Sequence, residues 1–202
     1  MFESNISREE LCKLPLAGYE GKIVLINERD ALNHYIPEIC ESSVLGFDTE
    51  TKPVFRKHIT HSVALLQLAS GTSVYLIRLN RTGIPSSLVG LLEDEKILKV
   101  GAAIRDDIRK LRSCRSFVPG GFVDIQKFVK QFGIEAEGLR KITAIVLKFR
   151  ISKSQQLSNW EDNKLTPAQQ RYAATDAWVC REIYGKVSTI VSNPESISRS
   201  TK

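Results

Sequence analysis

The stretch Val44-Leu45-Gly46-Phe47-Asp48-Thr49-Glu50 constrains this chain most. It reads as a buried strand that ends in two acids. Side chains on a strand alternate between faces, so Asp48 and Glu50 project from the same side. Two carboxylates held that close repel each other and lose hydration unless something compensates. A divalent cation does so directly, because magnesium and manganese select hard oxygen ligands. Taken alone the pair has a blander reading, a strand end whose acids are merely solvated. The rest of the chain decides between the two.

A length of 202 residues suits one domain with a single sizeable core. Residues 1–20 read as an arm packed on the domain edge. A first strand over 22–27 carries Ile23-Val24-Leu25-Ile26, and a helix over 29–42 sets Leu32, Tyr35, Ile36 and Ile39 at helical spacing. After the acidic strand, residues 51–60 form a basic loop with Arg56, Lys57 and His58. Residues 63–68 and 74–77 read as a hairpin turned through Ser70-Gly71-Thr72-Ser73. A short helix near 86–92, a strand over 97–102 and a helix over 105–115 follow. Gly120-Gly121 interrupts the chain, and 124–132 and 139–148 read as helices. Residues 148–163 are polar and basic, the pattern of a mobile connection. The last helix starts at Pro167 behind Thr166 as N-cap and extends to about 191. Strands first, helices later and one antiparallel hairpin predict an α/β domain with a mixed sheet flanked by helices. The expected organisation is an arm over 1–20, one domain over 21–191 and a flexible tail over 192–202.

A net charge of +6 and a pI near 9.2 are compatible with a polyanionic partner and equally with an ordinary basic surface. With 42% hydrophobic and 26% charged residues, the composition is that of a folded domain, not a disordered one. Cys12, Cys40, Cys114 and Cys180 stand far apart without a C-x-x-C pair, as reduced thiols of an intracellular protein do. No apolar run approaches the ~18 residues of a membrane span. The expectation is a soluble protein of the cytoplasm, or of the nucleus in a eukaryote, with no membrane contact and no protein partner evident.

Two further acids occupy inward positions. In Arg171-Tyr172-Ala173-Ala174-Thr175-Asp176, Tyr172 and Asp176 are four residues apart and share a helical face, which Val179 and Ile183 continue toward the core. Asp107 lies within the stripe of Ile104, Ile108 and Leu111, while Asp106 points the other way with Arg109 and Lys110. The chain therefore presents Asp48, Glu50, Asp107 and Asp176 on interior-facing positions. Four converging carboxylates cannot all stay ionised in one apolar cleft without cations, and two divalent ions balance them.

At this point the sequence resembles the DEDD superfamily of 3′–5′ exonucleases, in its tyrosine branch. Phe47-Asp48-Thr49-Glu50 resembles the first exonuclease motif, and Val100-Gly101-Ala102-Ala103-Ile104-Arg105-Asp106-Asp107 the second. Ser158-Asn159-Trp160, Leu165-Thr166 and Tyr172-Ala173-Ala174-Thr175-Asp176-Ala177 are similar to the third motif and its lead-in. The likeness is greatest to the Werner-type exonuclease domains, then to ribonuclease D, and covers about 21–187 in matching order. His34, His58 and His61 do not lie four or five residues before Asp176, which disfavours the histidine branch. Ile108 and Lys52 depart from the family pattern at positions near the expected terminal nucleotide.

The resemblance implies a ribonuclease H-like fold of five or six strands with helices on both faces. It also implies hydrolysis at a free 3′ end of a nucleic acid, releasing nucleoside monophosphates, with DNA slightly favoured. Two divalent cations, Mg2+ or Mn2+, would lie ~3.5–4 Å apart around the scissile phosphate. By the same resemblance Asp48 bridges them, Glu50 and Asp176 hold the first, Asp107 assists, and Tyr172 orients the attacking water. Thr49, Lys153 and Trp160 are candidate substrate contacts, Trp160 by stacking on a base or else by anchoring the core. Two alternatives remain open: an RNA 3′-end exonuclease like ribonuclease D, and a nucleic-acid-binding module without hydrolysis.

Overall fold

A computed structural model describes residues 2–54 and 60–192. The basic loop residues Arg56, Lys57 and His58 and the tail beyond 192 lie outside the described residues. In chain order the elements are α1 (Arg8–Lys13), β1 (Lys22–Ile26), α2 (Arg29–Cys40), β2 (Val44–Thr51), β3 (Val63–Ala69), β4 (Ser73–Ile77), α3 (Leu79–Thr82) and α4 (Ser86–Glu93). They continue with β5 (Leu98–Gly101), α5 (Arg105–Cys114), β6 (Phe122–Asp124), α6 (Ile125–Lys130), α7 (Leu139–Leu147) and α8 (Pro167–Ser192).

The strands form one mixed sheet in the order β1-β4-β3-β2-β5-β6. β3 runs antiparallel to β2 and to β4, whereas β1–β4, β2–β5 and β5–β6 are parallel. Every residue of β3 and β4 is buried, as expected of central strands covered on both faces. One face packs Leu45 and Phe47 of β2 against Leu32, Ile36 and Ile39 of α2, Leu88 of α4 and Leu111 of α5. On the other face α8 crosses β2, β3 and β4, and α7 and α6 lie beside it around Val179, Ile183, Ile145 and Val129. This is the mixed sheet with flanking helices that the element order predicts.

The sequence reading errs mainly at short elements. The arm contains a helix, α1, closed by a capping box in which Ser7 and Glu10 exchange hydrogen bonds of 3.2 and 2.9 Å. Ile6 and Leu11 of the arm are buried in the same cluster as α7. Just ahead of the helix expected over 124–132, which is α6 with Asp124 as its N-cap, stands the unexpected strand β6. Three residues are too few for strand alternation to show. Residues 148–163, expected to be a mobile connection, are pinned: Ile151 and Trp160 are buried, and the buried Arg78 donates to the carbonyls of Asp162 and Asn163. A polar composition concealed two apolar anchors and a bond from a distant arginine. Among the described residues no helix is long and apolar enough to cross a membrane.

Candidate active site

The acids gather at the carboxyl ends of the parallel pair β2 and β5, the edge where open α/β sheets generally hold ligands. Asp48 and Glu50 project from β2 toward α8. Gly46, two residues earlier on the same face, sets how close that helix comes, since a Cβ there would sit 1.9 Å from the Ala177 carbonyl oxygen. Ala173, Ala174 and Ala177 give α8 a matching shallow surface. Small side chains on both partners thus bring Asp176, only 8% exposed, down onto the strand. Carboxylate oxygens of Asp48, Glu50 and Asp176 lie within 4.8 Å of one another.

Asp107 stands beside this triad rather than in it. Its helix begins after Ala103, whose backbone adopts the left-handed conformation (φ 55°), strained for a side chain by about 1–2 kcal/mol. Asp124 holds that turn by accepting the Ala103 N–H at 3.2 Å while also capping α6. The turn sets the rotation of α5, so Asp107 faces β2 and accepts a 2.5 Å hydrogen bond from the Thr49 hydroxyl. Asp106 faces solvent and pairs with Arg109 at 3.1 Å, both side chains being mostly exposed.

The cluster resists ionisation. Burial, then Asp176, Glu50 and Asp107, hold the Asp48 carboxyl well above the usual carboxylate range. Burial and the charges of Asp176 and Asp107 push Glu50 up to about 9, against a smaller downward pull from Lys110. Burial raises Asp176, partly offset by a hydrogen bond from Tyr172, and it raises Asp107 against the pull of Thr49. Tyr172 is pushed up by burial and by Asp176 and Glu50, so its hydroxyl keeps its proton. Carboxylates forced together at this cost fit a divalent cation held by oxygen donors, and the cluster contains no thiolate or imidazole that would favour a softer ion.

Two of the three candidate substrate contacts are buried. Trp160 is completely buried and cannot stack on a base. Its ring packs 6.1 Å from that of Tyr172, behind the hydroxyl-bearing residue, within the range of favourable aromatic pairs. The Thr49 side chain is also buried, and its hydroxyl donates to Asp107. Lys153 is exposed and lines a groove that reaches Tyr172 and Asp176.

Two residues were overlooked. Gly46 is recognisable only as a glycine inside a strand, a hint of close backbone approach. Gln67 lies directly across from Asp48 in the β2–β3 register, completely buried, with neither amide atom partnered among the described residues. Its signal was a polar side chain in the otherwise apolar run 63–69.

Comparison with known proteins agrees with this geometry. The model of the 3′–5′ exonuclease domain family matches residues 23–192. The exonuclease 3′-5′ domain-containing protein 2 of Drosophila melanogaster is 37% identical over 148 residues, 71% of this chain and 25% of that protein. The bifunctional 3′-5′ exonuclease/ATP-dependent helicase WRN of Mus musculus is 29% identical over 187 residues, 88% of this chain and 13% of that protein. The chain thus spans a quarter or less of the length of these two relatives. The crystal structure of the Aedes aegypti Nibbler EXO domain superposes with a TM-score of 0.78 at 23% identity, covering 88% of this chain and 93% of that one. Fold, acid constellation and family match coincide over the same residues, and the chain belongs to the 3′–5′ exonuclease domain family.

Proposed function

We propose that this chain hydrolyses phosphodiester bonds at the free 3′ end of a nucleic acid, one nucleoside monophosphate at a time, with Mg2+ or Mn2+ and with DNA ahead of RNA. The observation that carries the reading is the convergence of Asp48, Glu50 and Asp176 within 4.8 Å beside a protonated tyrosine. Asp48, Glu50 and Asp176 would hold a divalent cation, with Asp107 at the side for a second. Bound there, such ions supply a nucleophile at neutral pH and stabilise the leaving oxygen.

The chain's own residues do the remaining work. Gly46 and the alanines of α8 set the carboxylate spacing before substrate arrives, so little reorganisation is needed at the moment of reaction. The Tyr172 hydroxyl, fixed by Trp160 behind it and Asp176 beside it, orients the attacking water by hydrogen bonding. Because burial and the neighbouring carboxylates keep its proton on, the hydroxyl offers no free base at neutral pH, and its role is alignment. Thr49 keeps Asp107 turned to the site. Lys153 meets the backbone phosphates. The preference for DNA leans on the Werner-type likeness, and the preference for Mg2+ or Mn2+ on an all-carboxylate donor set.

The test compares matched DNA and RNA strands, each labelled at the 5′ end, with Mg2+, with Mn2+ and in excess chelator. A ladder shortening from the 3′ end, faster on DNA and absent in chelator, is expected. Full activity in chelator, or loss of the 5′ label before the ladder appears, overturns the proposal. A faster RNA ladder overturns the sugar preference alone.

A further inference from the structure

A groove of about 1040 Å³ opens from Tyr172 and Asp176, and much of its wall comes from the amino-terminal arm. The family match begins at residue 23, so the arm lies outside the matched domain. It is nevertheless built in. The carbonyl of Ser4 accepts hydrogen bonds from the Glu135 and Ala136 N–H groups, at 2.8 and 3.0 Å. Lys141 donates to the Asn5 side chain at 3.2 Å, Ile6 and Leu11 are buried, and Ala17 donates its N–H to the Arg150 carbonyl.

The charge of this groove is one-sided. Arg8 from the arm, Arg140 and Lys141 from the first turn of α7, and Lys153 line it, against two acids, Glu137 and the Asp176 of the carboxylate cluster. Arg8 and Lys153 are exposed, and neither has an ion-pair partner among the described residues. A second groove of about 700 Å³ also reaches Tyr172 and Asp176, but its arginine, Arg171, is tied to Glu20 at 2.6 Å. Unpaired cations beside one carboxylate cluster favour the first groove for a phosphate backbone.

We infer that the arm completes a track for the phosphates of the single strand just upstream of the bond to be cleaved, with Arg8 and Lys141 as its contacts. The inference rests on the function proposed above and assigns part of the substrate site to a segment that precedes the matched domain. Each cation meeting a phosphate releases a condensed counterion, so the track makes binding steeply salt-dependent, by about 0.7 in the logarithmic slope per contact on a single strand.

The test uses fluorescence anisotropy of a labelled octathymidylate, titrated with salt in chelator so that nothing is cleaved. Arg8→Ala should weaken binding about three- to tenfold near 0.1 M salt and flatten the slope by about 0.7. Arg8→Lys should restore the slope. Lys13→Ala removes the same charge from the same helix five residues on, outside the groove, and should leave binding within twofold. Lys141→Ala should behave like Arg8→Ala, and circular dichroism checks that the arm stays folded. Equal binding and equal slopes for wild type, Arg8→Ala and Lys141→Ala overturn the inference, whatever the chain hydrolyses. An Arg8-dependent slope in a protein that shows no metal-dependent cleavage would instead keep the groove and overturn the catalytic reading. With active protein, the rise in KM for Arg8→Ala should be several-fold larger on the octamer than on a dinucleotide. Equal rises on both would place Arg8 at the terminal nucleotide and overturn the upstream track.

Discussion

Helix α8 brings Asp176 to the site on a stripe of alanines pressed against Gly46, whereas α5 brings Asp107 from a short helix in which only Leu111 is fully buried. The two acids are therefore held by different physics. Asp176 is fixed by packing along 26 helical residues, and moving it would mean prising a core apart. Asp107 depends on the left-handed turn at Ala103, the Asp124 bond that secures it, and one hydrogen bond from Thr49. The difference implies a rigid triad and an adjustable fourth acid.

That contrast is sharpest in the acids of the rigid triad. Asp176→Asn and Asp48→Ala should each lower turnover by roughly 10³-fold or more while the protein stays folded. Without metal either variant should melt no lower than wild type, because a repelling charge has gone. Substantial turnover by Asp176→Asn would end the idea that packing on α8 matters for the chemistry.

Tyr172→Phe retains the ring against Trp160 and deletes only the hydroxyl. Turnover should drop by ~10²–10⁴-fold with little change in KM. Wild-type turnover in steady-state assays of this variant would mean that the hydroxyl takes no part.

On the adjustable side, Asp107→Asn should cost roughly 10–10²-fold, less than the triad acids, and more metal should recover part of the loss. Asp106→Asn, which breaks only the exposed pair with Arg109, should stay within about twofold. Assays of the two variants on one labelled strand decide the matter, and the reverse order would place the wrong face of α5 at the site.

Melting against pH in chelator probes the repulsion itself. Glu50 in the folded protein titrates near 9, above its ordinary 4.5, so between those values the folded state holds a proton that the unfolded chain releases. Its contribution to stability is complete below pH 4.5 and is lost as pH rises through 9, by up to about 1.4 kcal/mol per pH unit. Asp48 and Asp176, also raised, act in the same direction. The melting temperature of the metal-free protein should fall from pH 5 to pH 9, and Glu50→Gln should flatten the fall. An equally steep fall in Glu50→Gln would assign the proton elsewhere.

The smallest expected effect tests the packing. Gly46→Ala inserts a methyl where the Ala177 carbonyl lies, at a cost of about 1–3 kcal/mol, or a few degrees of melting temperature at this size. An unchanged melting temperature, read by calorimetry, would show that α8 is free to ride up and that its acid is not rigidly placed.

Much of the architecture was legible because it follows from local periodicity. The alternation in β2, the continuous apolar runs of β3 and β4 and the helical spacing in α2 and α8 each declare their type within one window. The hidden elements were short or polar. β6 has three residues, α1 is capped by side chains no hydropathy pattern records, and 148–163 is secured by Arg78, which bonds a carbonyl 85 residues away in sequence. Trp160 shows the same limit. An aromatic beside polar residues suits a base-stacking surface or a core anchor alike, and only its complete burial behind Tyr172 separates them.

By itself the sequence determined that Asp48 and Glu50 share a strand face, that Tyr172 and Asp176 share a helical face, and that Asp106 and Asp107 point apart. Each follows from the fixed geometry of a single strand or helix. Tertiary structure alone decided that three of those acids meet within 4.8 Å, that Thr49 serves Asp107, that Gln67 lies buried across from Asp48, and that the arm walls the groove. The physical reason is that these contacts join residues tens to more than a hundred positions apart. They depend on how closely helices can approach the sheet, which Gly46 and a few alanines set through volume and not through pattern.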